Sequence, residues 1–315
     1  MVSYIMRRVL ALVPTLFLVL AVSFFLIHFI PGDPAVVMLG PHATVEQIEA
    51  LRHEMGLDQP IGIQFGRYIV DVFHGDFGNS IFFHIPVTHV ILQRVEPSVL
   101  LALCSMVVVF VIGIPSGILA AAKPNTWLDQ AFLVIALLGA SIPSFWLGLL
   151  LMLVFAVNLG WLPSSGFPSV FETGNISNLR YLVLPSITLG FANAALLARL
   201  TRSSVLDVLQ EDYINTARAK GVAESCVLLR HALRNAAIPI VTVLGFTFAG
   251  LLSATVVTES VFALPGIGRL IVESVLRRDY PVIQGVMVFV AFLYLSINLL
   301  TDMTYAMLDP RIHYK

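Results

Sequence analysis

Few of the residues that could do covalent chemistry stand in a pattern that completes a site. His53-Glu54-Met55-Gly56-Leu57 begins like the helix of a zinc metalloprotease, but position 57 is Leu where the second His is required. Outside that near-miss, only the Ser164-Ser165 pair speaks for a hydrolase, and no Gly-x-Ser-x-Gly elbow occurs. Histidines gather early in the chain, at His28, His42, His53, His74, His84 and His89. His84 and His89 are five apart, a spacing that suits a metal, but no carboxylate or thiolate follows at a matching interval. Gly266-Ile-Gly268 is a fragment of a dinucleotide fingerprint with no strand before it. A Walker A motif is absent, so ATP is not expected on a P-loop of this chain. Cys104 and Cys226 are too isolated to form a framework. Asp302, Arg199 and Glu259 remain, ionisable groups placed in or beside long apolar runs. Such groups are functional candidates by default. Arg199 and Glu259 are near enough to helix ends to snorkel, whereas Asp302 is expected to face other helices and pair there.

Those apolar runs dictate the solvent. Of 315 residues, 58% are hydrophobic and only 12% charged, and the mean hydropathy is +0.90. A soluble domain carries about 25% charge. Half that amount cannot keep a surface of this size wet, and disorder is excluded too, since disordered chains are poor in apolar residues and rich in charge. The chain therefore needs lipid. A net charge of −1 gives no reason to expect nucleic acid.

Six stretches are long and apolar enough to cross a bilayer: Val9–Ile30, Ser98–Ala122, Gln130–Val157, Leu182–Leu200, Ala237–Val261 and Gly285–Leu308. The fold class expected is an all-α membrane protein with six transmembrane helices. With the N-terminus inside, the inner segments and the edge of the fourth span hold eleven Lys and Arg against seven outside. Both termini then lie in the cytoplasm. Arg7 and Arg8 before the first run imitate a signal peptide, but the run is too long and no prompt cleavage site follows, so it reads as a retained helix. The expected division is 1–97 for the first span and an extracytoplasmic helical segment, 98–308 for a five-helix core, and 309–315 for a tail.

In the outer segment, Thr44-Val-Glu-Gln47 fits a capping box and opens a short helix that Gly56 can close. Ile63–His74 reads as a second helix, and Val87–Val95 as an amphipathic stretch at the interface before the second span. The inner loop 201–236 is the most polar stretch. Leu206, Leu209, Tyr213 and Ala217 recur at helical spacing, with Asp207, Glu211, Asn215 and Arg218 opposite and Gly221 as the break. A helix–Gly–helix of this kind suits docking into another protein or, equally, a solvated surface loop. Pro115, in Gly113-Ile-Pro-Ser-Gly117, and Pro143, in Ser141-Ile-Pro-Ser144, are candidate hinges, though Pro is common in membrane helices. Asn193, Ser253, Thr258, Asn298 and Asp302 are polar enough to line a pathway.

Glu211-Asp-Tyr-Ile-Asn-Thr-Ala-Arg-Ala-Lys-Gly221, followed by Arg230-His-Ala-Leu-Arg-Asn-Ala236, resembles the EAA loop of ABC-importer permeases. The version is most similar to the dipeptide/oligopeptide family, which includes nickel and glutathione transporters. Further motifs agree in order: Pro31-Gly-Asp-Pro34, Gly56-Leu-Asp-Gln-Pro60, Gly75-Asp-Phe-Gly78, Phe262-Ala-Leu-Pro265-Gly266-Ile-Gly268, and Arg278-Asp279-Tyr280-Pro281. Asn215 and Thr216 stand where the broad family shows Glu-Ala, and Leu233-Arg234 replaces its Leu-Pro. Both departures look like the peptide branch.

The resemblance implies a permease subunit in the bacterial inner membrane, paired with a homologous permease as a heterodimer. Two ABC ATPases would sit below and an extracytoplasmic solute-binding protein above. It implies no cofactor on this chain, with ATP and Mg on the ATPases. Asn215, Thr216, Ala217, Arg218, Ala219, Lys220 and Gly221 would form the coupling helix. The expected cargo is short peptides, with nickel or glutathione as the alternative. A stand-alone channel, needing no ATP, is the reading from another class.

Overall fold

The structure is a computed structural model that describes residues 2–29, 34–40, 43–54 and 56–308. Helices make up almost all of it: α1 Val2–His28, α2 Pro34–Leu39, α3 Val45–Glu54, α4 Ile61–Phe73, α5 Val87–Ala122, α6 Trp127–Ser141, α7 Ser144–Leu151, α8 Val170–Thr173, α9 Val183–Leu209, α10 Asp212–Ala219, α11 Glu224–Cys226, α12 Leu233–Val261, α13 Ile267–Arg277 and α14 Tyr280–Leu308. The fold is therefore an all-α membrane fold. Residues 87–122, 176–209, 224–261 and 280–301 are each long and apolar enough to cross a bilayer, and the pair α6–α7 makes a fifth if it is one span. The apolar part of α1 is shorter, Leu10–Leu26.

The chain forms two compact units, 1–96 with 266–299 and 97–265 with 300–315. In the first unit, α4 lies along α1 through Phe65 and Tyr68. The Phe65 ring meets Phe17 edge-on at 5.8 Å and Phe24 at 5.1 Å. The Tyr68 and Ser23 hydroxyls are 2.8 Å apart, and Gln284 Nε2 donates to the Ser23 carbonyl. The α3 capping box forms as the sequence predicts: the Thr44 N–H donates to Gln47 Oε1, and the Gln47 N–H donates to Thr44 Oγ1. Gly56, at φ 63°, ends α3 as predicted. The expected helix at Ile63–His74 is found two residues earlier at its start. Val87–Val95 differs from expectation. It is the first part of α5, continuous with the second span through Pro97, because Val87, Val90 and Ile91 are buried against Ile267, Leu270, Val282 and Val286.

In the second unit α9 is the central rod, packed by α12, α6 and α7. Its core gathers Leu101, Leu182, Leu197, Val205, Ala236, Leu251 and Phe262. The third apolar stretch is not one rod. Ile142 and Pro143 are both extended, at ψ 125° and 129°, so α6 and α7 are joined at a bend of 102°. Proline forces this by disfavouring helical geometry in the residue before it. The fourth span runs on to Leu209, well beyond Leu200, because Thr201 and Val205 are buried there.

Candidate functional site

The residues that match the coupling motif sit on α10 and its C-terminal turn. The helix begins afresh rather than continuing α9: Gln210 ends α9, and Glu211 is extended at φ −70° and ψ 143°. The predicted apolar face running from Leu206 to Ala217 is thus split in two. Ile214 and Ala217 are buried and seat α10. Tyr213, expected on that face, is exposed, and its hydroxyl accepts a 2.7 Å bond from Asn235 Nδ2. Asn235 also donates to the His231 carbonyl, so α10 is tied to the start of α12.

A Schellman turn closes α10. The Gly221 N–H donates to the Arg218 carbonyl at 2.9 Å, and the Val222 N–H donates to the Ala217 carbonyl at 3.2 Å. Gly221 has φ 79°, and a Cβ there would meet nothing within 4 Å. Glycine is required here by backbone conformation, not by a close neighbour in this chain. Arg218 grips Glu224 with both ends of its fork, Nη2 to Oε1 at 2.7 Å and Nε to Oε2 at 3.1 Å. That carboxylate pushes the guanidinium up from its ordinary value. Both partners are well exposed, so the pair shapes the turn more than it stabilises the fold. Asn215, Thr216, Ala219, Lys220 and Gly221 are left exposed as a short polar ridge with small residues at its end. Thr216 Oγ1 donates back to the Asp212 carbonyl.

The outer-loop motif falls in both units. Phe262 is buried in the core of the second, where its carbonyl accepts from the Gly166 N–H and its ring lies beside Gly148. In the first, Gly266 precedes α13 and Gly268 is buried in its first turn. Arg278, left-handed at φ 56°, ends α13. Asp279 is 1% exposed and accepts from Ser80 Oγ, the Ile81 N–H and the Phe82 N–H. Its carbonyl accepts from the Ile283 N–H in the first turn of α14. Arg277 lies 3.6 Å over the Phe82 ring. Tyr280 is buried beside it, and Pro281 and Pro265 are half-buried. Two motifs about 200 residues apart are thereby clamped together, since Ser80 lies two residues after Gly75-Asp-Phe-Gly78. Ser80 is the residue that pattern reading missed, having no motif of its own. Pro31-Gly-Asp33 lies outside the described residues.

The pathway candidates lie on several helices. Pro115 is exposed on α5, but its neighbours Gly113 and Gly117 are pressed on α9: a Cβ at Gly117 would lie 2.5 Å from Thr201 Cβ, and one at Gly113 2.9 Å from Leu197 Cδ2. Pro143 is the bend between α6 and α7. Asn193 Nδ2 donates to the Leu189 carbonyl in its own helix, Ser253 is exposed, Thr258 is buried with no partner for its hydroxyl among the described residues, and Asn298 is half-buried. The Asp302 side chain lies outside the described residues. Glu259 is not at an interface, as snorkelling would have it. It is fully buried and accepts a 2.6 Å bond from Ser98 Oγ. Near the foot of α9, Arg202 holds Asp129 through two bonds of 2.6 Å, a bidentate pair unforeseen from sequence.

A family model described as "Binding-protein-dependent transport system inner membrane component" matches residues 113–314, and the N-terminal model of the same system matches 1–84. The chain belongs to this family of importer permeases. It is 46% identical over all 315 residues, covering the whole of both chains, to proteins named "Glutathione transport system permease protein GsiC" from Salmonella paratyphi A and Escherichia coli K12. In fold it is similar to a chain of the MetNI methionine ABC transporter in inward-facing crystal forms, with a TM-score of 0.56 at 20% identity, covering 70% of this chain and 96% of that one. The permease is a multi-pass inner-membrane protein, a transport subunit of an ABC importer.

Proposed function

We propose that this permease forms one half of the path of an ATP-driven importer for glutathione and similar short peptides, and that α10 with Gly221 is the lever that couples it to ATP. Glutathione is itself a tripeptide, so the expected peptide cargo and the alternative are one chemical class. The observation that carries the reading is the match over the whole length to glutathione permeases. In this reading six spans cross the membrane, with α1 first and α6–α7 as one bent crossing, and both termini face the cytoplasm. A homologous permease completes the path, two ATPases bind ATP and Mg, and a solute-binding protein delivers cargo from outside.

The mechanism follows from stiffness. ATP binds preferentially to the closed ATPase dimer, and that difference in affinity is what can do work. Closure moves the exposed ridge of α10. The ridge is seated by Ile214 and Ala217 and tied by Tyr213 to Asn235, so its motion passes into α12 and α9. The bundle then alternates between inward- and outward-open states.

The test is pull-down of the chain from detergent-solubilised native membranes with mass spectrometry, joined to uptake of labelled glutathione by vesicles. A second permease and P-loop ATPases, with ATP-dependent uptake, are expected. A chain recovered alone, with uptake indifferent to ATP, would put the stand-alone channel in front.

A further inference from the structure

A cavity of about 500 Å³ opens in the first unit, well within the size range of small-molecule sites. Its apolar wall includes Leu57, Phe77 and Ile81, and its charged wall is Arg67, Asp71 and Asp76. Arg67 and Asp71 are one turn apart on α4, where an ion pair across the turn would be routine. They make none. Among the described residues, no carboxylate lies within ion-pair distance of Arg67 and neither side chain has a hydrogen-bond partner. Room for the guanidinium comes from the backbone. Gly56 is held left-handed at φ 63°, and a Cβ there would lie 3.1 Å from Arg67 Nη1. Asp76 already accepts the Gly78 N–H through Oδ1.

A guanidinium and a carboxylate that have no partner among the described residues, and that face one cavity with an apolar wall, match a small zwitterion. The fork of Arg67 fits a carboxylate bidentately, Asp71 fits an ammonium, and the apolar wall takes what lies between. We propose that this cavity is a binding site for the free-ended form of a small peptide or amino acid, separate from the coupling helix. The inference rests on the importer reading only in placing the cavity on the extracytoplasmic side.

The purified full-length permease in detergent, without its binding protein, is titrated with alanyl-alanine, with the N-acetylated dipeptide and with the C-terminal amide, by calorimetry. The free dipeptide is expected to bind, and blocking either end to weaken binding about tenfold or more. Arg67→Gln should erase the difference between free acid and amide. Asp71→Asn should erase the difference between free and acetylated amine. Gly221→Trp, which tests coupling, should bind like the parent even if transport fails for another reason. No binding by the parent chain, or unchanged end-group preferences in both cavity variants, overturns the proposal.

Discussion

Gly221 carries two requirements that a single substitution can separate. Its φ of 79° costs an ordinary L-residue about 1–2 kcal/mol, whereas Asn visits this region more readily. Space in this chain is open, so steric loss must come from something that docks. Gly221→Asn is expected to keep the turn and much of the uptake. Gly221→Trp should reach the membrane at normal levels and lose uptake, and normal uptake by that variant would refute docking at this turn. Arg218 stands in the expected docking set by its motif, and its fork is held by Glu224, a residue outside that motif. Glu259 departs from its expectation: being acidic near a helix end predicted snorkelling, yet Ser98, brought alongside by α5, lets it be buried.

The close crossing of α5 on α9 belongs to the helix scale. Gly113 and Gly117 let the backbones meet, in the manner of small residues in membrane helices. Gly117→Val is expected to overpack this seam by about 1–3 kcal/mol. The readout is a lower unfolding temperature in detergent and less protein in the membrane, and an unchanged melting curve would argue against the crossing. Asp129 and Arg202 tie the start of α6 to α9. The Asp129 side chain is 2% exposed and Arg202 21%, so Asp129→Ala leaves a half-buried guanidinium unpaired and should cost about 1–3 kcal/mol. Arg202→Lys keeps the charge but loses the fork. It should give a milder variant with ATP hydrolysis less tightly linked to uptake, measurable as the ratio of the two. Helix existence was readable from the apolar runs, and the capping box and Gly56 marked the ends of α3 correctly. Helix continuity was not readable. Pro97 interrupts nothing in α5, while Pro143 stands at the bend between α6 and α7.

At the scale of the whole molecule, large apolar side chains such as Val107, Phe110, Val111, Leu137 and Leu138 remain exposed. Lipid or a partner permease must cover them. Alkaline carbonate washing should leave the chain in the membrane pellet, and its release would contradict a multi-pass arrangement. That the chain lives in lipid follows from composition alone, because charge is too scarce to wet its surface. The turn that ends α10 was also legible, since Schellman geometry is local and Gly221 announces it. Long-range placements were not. Asp279 meets Ser80 and Arg202 meets Asp129, each because elements distant in sequence pack at particular rotations. An apolar run states that a helix is buried in lipid or protein, but it holds no record of which neighbour each face will find.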